Sequence, residues 1–127
     1  MRKLLLLLAI TFISIFKSQF SGGTGSDSDP YIISNINDLK FLSDNSTYWG
    51  KCFLQNENID ASATDLWNGG LGFSPIGNYA TPFKGKYKGN GYLISNLYIN
   101  RPTSDYIGLF GYCETALFND INLVVFI

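Results

Sequence analysis

Residues 83–111 read FKGKYKGNGYLISNLYINRPTSDYIGLFG, and the fold is decided there. Phe83, Gly85 and Tyr87 alternate with Lys84, Lys86 and Lys88, so a short strand sets the first three on one face and the lysines on the other, toward water. Gly89-Asn90-Gly91 follows as a turn whose glycines permit positive φ. Ile94, Leu97 and Ile99 mark a second strand, with a bend at Ser95-Asn96 where the spacing changes. A polar turn and a glycine-bracketed apolar corner, Ile107 to Gly111, complete the unit.

Part of this unit returns. Ile94-Ser-Asn-Leu97-Tyr-Ile99 matches Phe118-Asn-Asp-Ile121-Asn-Leu123, so the repeat steps from Ile94 to Phe118. A period of this order points to a β-solenoid, in which a coil buries its inner face only by stacking on the next. On that reading Asn96 and Asp120 sit at equivalent corners. The expected fold is all-β, with right-handed parallel β-helix coils and one short N-terminal capping helix. For that helix Asn35 is the cap and Asp38 its reciprocal partner. Ile36, Leu39 and Leu42 form the apolar stripe, with Phe41 beside it, and Asp44-Asn45-Ser46 is the stop. Such a helix would cover the first coil and its open edge.

Outward from this core, residues 1–20 have the form of a secretory signal. Arg2 and Lys3 precede an apolar run from Leu4 to Phe16, too short to span a bilayer comfortably. Cleavage is expected near Ser18 to Ser21, giving an exported chain, extracellular or at the cell surface, with no stable membrane span after the leader is removed. Residues 21–30, SGGTGSDSDP, read as a flexible linker. Asp27 and Asp29 are too few for a calcium loop, which takes about six or more oxygen ligands. Residues 31–127 form the expected single domain. A strand is expected around Lys51 to Gln55, and Ala61 to Tyr79 reads as a loop anchored by Trp67 and by Phe73-Ser-Pro-Ile76. The last run, Ile121 to Ile127, is apolar and uncapped, which suggests a domain truncated at its C-terminus.

Composition narrows the function classes. With 16% aromatic and 15% charged residues, the chain suits a turn-rich exported β protein. Without Arg2, Lys3 and Lys17, 6 basic side chains face 10 acidic ones, the wrong balance for nucleic acid. Histidine is absent, which removes several acid–base and nucleophilic schemes.

Two residue sets invite a functional reading. Trp67, with Tyr79 or Tyr87, would make an aromatic platform for a sugar ring, or else these rings pack the core. Asp60, Asp65, Asp105, Glu114 and Asp120 would have to converge on one groove for glycoside cleavage, with two carboxylates about 5–9 Å apart. Cys52 and Cys113 either form a disulfide, closing a loop worth roughly 3–4 kcal/mol of chain entropy, or remain free buried thiols. No metal site and no cofactor are expected.

Phe83-Lys-Gly-Lys-Tyr-Lys-Gly-Asn-Gly91, Ile94-Ser-Asn-Leu97 and Ile107-Gly-Leu-Phe-Gly111 together resemble the GLUG-repeat proteins of bacteria. Pro30-Tyr-Ile-Ile33, Asn37-Asp-Leu39, Asn58-Ile-Asp60 and Ser74-Pro-Ile-Gly77 look like the segments that precede such repeats. Lys88, Tyr92 and Cys113 depart from the pattern. The resemblance implies a secreted or surface β-solenoid, adhesin-like and without catalytic residues. The expected function is therefore a non-catalytic exported module for surface adhesion or spacing, with a polysaccharide or a host or surface protein as partner. The alternative is a carbohydrate-binding or carbohydrate-active accessory module.

Overall fold

The computed structural model describes residues 19–124. Residues 1–18, most of the expected leader at 1–20, and residues 125–127 lie outside the described residues. The chain forms β1 (Tyr31–Ile33), α1 (Ile36–Asp44), a 3-10 turn (Ser46–Tyr48), β2 (Cys52–Gln55), β3 (Ile59–Asp60), a kinked 3-10 segment (Ser62–Gly70), β4 (Lys86–Lys88), β5 (Leu93–Ser95), β6 (Leu117–Asn119) and β7 (Asn122–Val124).

Every strand pairing is parallel. One sheet runs β1-β2-β4-β6 and the other β3-β5-β7. After β1, which is followed by α1, each pass of the chain lays one strand on the first sheet and the next strand on the second. Tyr31, Phe53, Tyr87 and Phe118 stand in one cross-strand column. Ile59, Ile94 and Leu123 stand in another. Phe53, Tyr87, Ile59 and Ile94 are buried, whereas Phe118 and Leu123, in the last strands, are partly open to solvent.

The period-2 reading of residues 83–88 describes this packing. Phe83, Gly85 and Tyr87 are buried, and the three lysines between them reach outward. Gly85 has a backbone reason: a Cβ there would lie 2.1 Å from the Lys51 carbonyl oxygen, so only glycine lets β4 close on the preceding pass.

Helix α1 starts where Asn35 caps it, its side chain accepting the Asp38 N–H at 2.9 Å. Asp38 does not return the bond to Asn35; its carboxylate accepts from the Ser34 N–H and the Ser21 hydroxyl. Leu39 and Leu42 are fully buried. Asn45 ends the helix by donating its side-chain amide to the Phe41 carbonyl. Below α1, Phe20 sits among Tyr31, Phe41, Tyr48 and Phe53, with ring centroids 4.6–5.6 Å apart.

Residues 21–30, read as a flexible linker, are fastened to this end. The Ser21 N–H donates to the Ile32 carbonyl, Thr24 and Gly25 donate to Asp29, and Cys52 donates to Gly25.

The expectation of an all-β right-handed parallel β-helix is corrected by the structure, which is mixed α/β. It has two separate open sheets of four and three short strands, with helix α1 and the 3-10 turns set between the strands. No third ladder closes a coil among the described residues. Single bridges stand instead, Ile76 to Phe110 and Phe83 to Cys113 in parallel and Gly72 to Ile99 antiparallel. The cause is local. Thr64 turns residues 61–64 tightly by donating to the Ala61 carbonyl, and Asn68, Gly69, Gly70 and Gly72 take positive φ, which ends any extended run.

The expected step from Ile94 to Phe118 is corrected as well. Phe118 pairs with Tyr87, and Ile94 pairs with Leu123, so the last pass is longer than the sequence echo implies. Asp120 is accordingly the counterpart of Asn90 rather than Asn96, each holding positive φ between the two strands of its pass.

Candidate functional site: an exposed tyrosine cluster beside a small cleft

The three aromatic residues singled out in the sequence do not assemble. Tyr87 is fully buried, and its hydroxyl donates to Gln55 Oε1 at 3.1 Å. Burial raises its phenol well above the usual tyrosine value. Trp67 is half-buried against Phe73, with the Lys40 ammonium 5.5 Å from its ring centroid. Only Tyr79 is free for a ligand, at 73% exposure. The platform of Trp67 with Tyr87 is therefore corrected: the register that stacks Phe53, Tyr87 and Phe118 turns Tyr87 into the core.

The acids are likewise dispersed. Asp60 accepts from the Ser62 N–H and the Asn96 side chain, which hold its carboxyl below the ordinary range. Asp65 lines a shallow cleft with Ser62, Asn96 and Tyr98. Asp105 lies in a different cleft. Glu114 pairs with Lys84 at 3.5 Å. Asp120 occupies the turn between β6 and β7. Among the described residues, no three His, Cys, Asp or Glu side chains are grouped to hold a metal ion. Cys52 and Cys113 are free thiols, both half-buried, and burial pushes the Cys113 thiol upward.

The structure does bring together residues that no sequence pattern links. Tyr79, Tyr112 and Tyr106 form a surface cluster. The Tyr112 ring centroid lies 5.4 Å from Tyr79 and 5.1 Å from Tyr106, with interplanar angles of 70° and 78°. Tyr112 is half-buried between two exposed neighbours.

The backbone fixes this arrangement. The Tyr112 N–H donates to the Gly77 carbonyl, Gly111 donates to Ile76, Ile76 donates to Leu109, and Phe83 donates to the Tyr112 carbonyl. Gly77, at φ 93°, passes so close that a Cβ would lie 2.3 Å from the Tyr112 carbonyl oxygen. Tyr106 itself holds φ 59°. A bulky residue in the left-handed region costs about 1–3 kcal/mol, so the surrounding packing must enforce it.

Next to the cluster is a cleft of about 160 Å³, lined by Trp49, Pro75, Asn78, Arg101, Asp105 and Tyr106. Asn78 Oδ1 accepts the Thr81 N–H, leaving the amide NH2 as a donor. Arg101 Nε donates to the Phe73 carbonyl, leaving its two terminal NH2 groups. A larger groove, about 350 Å³, runs over the outer side of β4 and β6 between Lys86, Lys88, Leu117 and Asn119, with Asp27 paired to Lys86 at 3.1 Å. No helix among the described residues is long and apolar enough to cross a membrane.

No family model matches the chain, and no solved structure matches it. It is 40% identical over 99 residues to a protein named Halomucin from Haloquadratum walsbyi, an alignment covering 74% of this chain and 1% of that protein. It is 39% identical over 107 residues to a protein named Putative Gly-rich membrane protein from Evansella cellulosilytica, covering 84% of this chain and 12% of that one. The chain thus spans a small fraction of the length of each of these relatives.

Proposed function

We propose that this chain is an exported, non-catalytic module at the cell surface or membrane, serving adhesion or spacing as the GLUG-repeat resemblance implies. The observation that carries this reading is the repeated parallel pass. After the first pass, which gives only β1, each pass adds one strand to each sheet at about 4.8 Å per strand, so the body lengthens in one direction as passes accumulate. A body built in this way serves as a rigid support that holds surface residues at fixed spacing. Asp105, Glu114 and Asp120 lie apart from the cleft that Asp65 lines and Asp60 borders, so the five acids do not converge on one groove, which favours this reading over a glycosidase built from all of them. The apolar leader supports export. Similarity to segments of two much longer proteins, one of them named a membrane protein, supports a surface or membrane setting.

The test is accessibility on intact cells of the source organism. An antibody to residues outside the leader is expected to label unpermeabilised cells, and external protease is expected to remove the signal. Labelling only after permeabilisation contradicts the reading. A second reading, a carbohydrate-binding accessory module, is favoured by one specific observation, the exposed tyrosine cluster.

A further inference from the structure

We propose that the cleft lined by Asn78, Asp105 and Tyr106, together with the Tyr112 and Tyr79 rings that continue from Tyr106 over the surface, is a binding site for a neutral hexopyranose unit of a polysaccharide. The inference deepens the surface reading by naming the ligand class, and rests on it for its biological setting only.

The chemistry of a sugar ring matches what the site offers. A pyranose has apolar C–H faces and a rim of hydroxyls that donate and accept. Tyr79 and Tyr106 are 73% and 52% exposed and present apolar rings to solvent, while the half-buried Tyr112 ring braces both at 5.4 and 5.1 Å. Aromatic rings of this kind bury apolar area with little loss of side-chain freedom.

The cleft supplies hydroxyl partners of both kinds. The Asn78 amide and the terminal Arg101 NH2 groups donate, and the Asp105 carboxylate accepts. Asp105 has no side-chain hydrogen bond or ion pair among the described residues, so its oxygens remain available. One cationic and one anionic group in the same small cleft give no net preference for a charged ligand, which selects a neutral sugar over a uronic acid or an anion.

Size points the same way. At about 160 Å³ the cleft is well below the roughly 300 Å³ at which sites for larger small molecules begin, so it takes one ring of a chain rather than a whole ligand. A protein partner would suit a wider and flatter tyrosine patch, and here the polar groups converge in a recess instead.

The site is also built rather than incidental. Gly77 is pinned under Tyr112 by its carbonyl, and Tyr106 is held at positive φ by the packing around it.

The full chain, produced by secretion, would be run through native gels containing dextran, mannan, xyloglucan, galactan or soluble chitin oligosaccharides, and through gels containing polygalacturonate. It would also be tested on a glycoprotein before and after deglycosylation. Retardation by at least one neutral polysaccharide is expected, with affinity weakened about tenfold or more, equivalent to about 1.4 kcal/mol or more, by Tyr79→Ala and by Tyr106→Ala, as for tyrosines that dominate an interface. Tyr106→Phe retains the ring and is expected to bind within a few fold of wild type. Tyr98→Ala, at an exposed tyrosine outside the cleft, leaves affinity unchanged.

Four results overturn the site: no retardation by any neutral polysaccharide, retardation that survives both alanine substitutions, retention by polygalacturonate alone, or undiminished binding to the deglycosylated protein. Because Tyr79 is exposed, Tyr79→Ala is expected to keep the wild-type melting temperature, so lost binding reads on the site. Surface labelling of intact cells is scored separately, so a failed sugar site leaves the surface reading standing.

Discussion

Replacing Tyr87 by Phe removes one oxygen atom from the centre of the molecule, and its consequence can be worked out in two independent ways. Tyr87 is fully buried, and its hydroxyl donates to Gln55 Oε1 at 3.1 Å. The Gln55 amide nitrogen is already committed to the Glu57 and Leu93 carbonyls, at 2.9 and 3.1 Å, so the side chain cannot turn over to compensate. Tyr87→Phe therefore strands a buried amide oxygen, at a cost of about 1–3 kcal/mol. With a urea m-value of about 1.5 kcal/mol/M, a loss of about 2 kcal/mol lowers the unfolding midpoint by about 1.3 M.

The second consequence is in pH. The folded state raises the Tyr87 phenol above its unfolded value near 10, because burial opposes the phenolate. Above that value the unfolded chain has released the proton and the folded chain has not, so the unfolded state binds fewer protons and stability falls as pH rises. The stability contribution of this group is complete well below pH 10 and is lost through that value, the slope approaching about 1.4 kcal/mol per pH unit only above about pH 11. Urea melts at pH 7, 9, 10 and 11 on both proteins separate the two effects. Wild type is expected to be more stable at pH 7. Its advantage over Tyr87→Phe is expected to shrink by about 1 kcal/mol between pH 10 and 11. Equal midpoints at pH 7, or parallel alkaline slopes, would refute the burial of Tyr87 and the register that produces it.

Other perturbations test separate parts of the structure. Gly85→Ala and Gly77→Ala are each expected to lower stability by more than about 1 kcal/mol in urea melts, because their Cβ atoms would lie 2.1 Å from the Lys51 oxygen and 2.3 Å from the Tyr112 oxygen. Gly77→Ala should also weaken any sugar binding, while Gly50→Ala, with open space around its Cβ, should not. Phe20→Ala, which empties the middle of a five-ring cluster, is expected to cost about 3–5 kcal/mol. The same packing predicts that the processed protein keeps Phe20, so the intact mass of the exported chain should place its N-terminus at Phe20 or upstream of it. Cys52 and Cys113 should both react with a thiol reagent in unfolded, unreduced protein, and in the native state Cys113 should alkylate more slowly than an ordinary thiol at pH 8.5.

What could be read from the chain depended on whether the signal was local. The alternation of Phe83, Gly85 and Tyr87 with lysines has period 2 and gave the buried and exposed faces directly. The Asn35 cap and the Ile36, Leu39, Leu42 stripe gave the helix in the same way. The offset between passes was not local. The similarity of Ile94-Ser-Asn-Leu97 to Phe118-Asn-Asp-Ile121 set Ile94 against Phe118, but the loops between passes differ in length and the ladder aligns Tyr87 with Phe118. The helical turn that opens residues 61–72 was hidden because it rests on Thr64 rather than on an apolar stripe, and positive-φ positions interrupt it from Asn68 onward. The candidate site was the least legible. Tyr79 and Tyr112 lie on different passes, and only the bonds from Tyr112 to Gly77 and from Phe83 to Tyr112 place their rings together. Tyr87 shares its residue type with Tyr79, but its place in the alternation with the lysines already assigned it to the inward face.

Everything proposed for this chain depends on how consecutive passes align, so nuclear Overhauser contacts across the ladders are the measurement to make. The structure requires backbone contacts between Tyr87 and Phe118 and between Ile94 and Leu123, with the amide and α-proton pattern of parallel strands. Contacts between Ile94 and Phe118 instead, the alignment that the sequence echo implies, would contradict it and would take the tyrosine cluster apart.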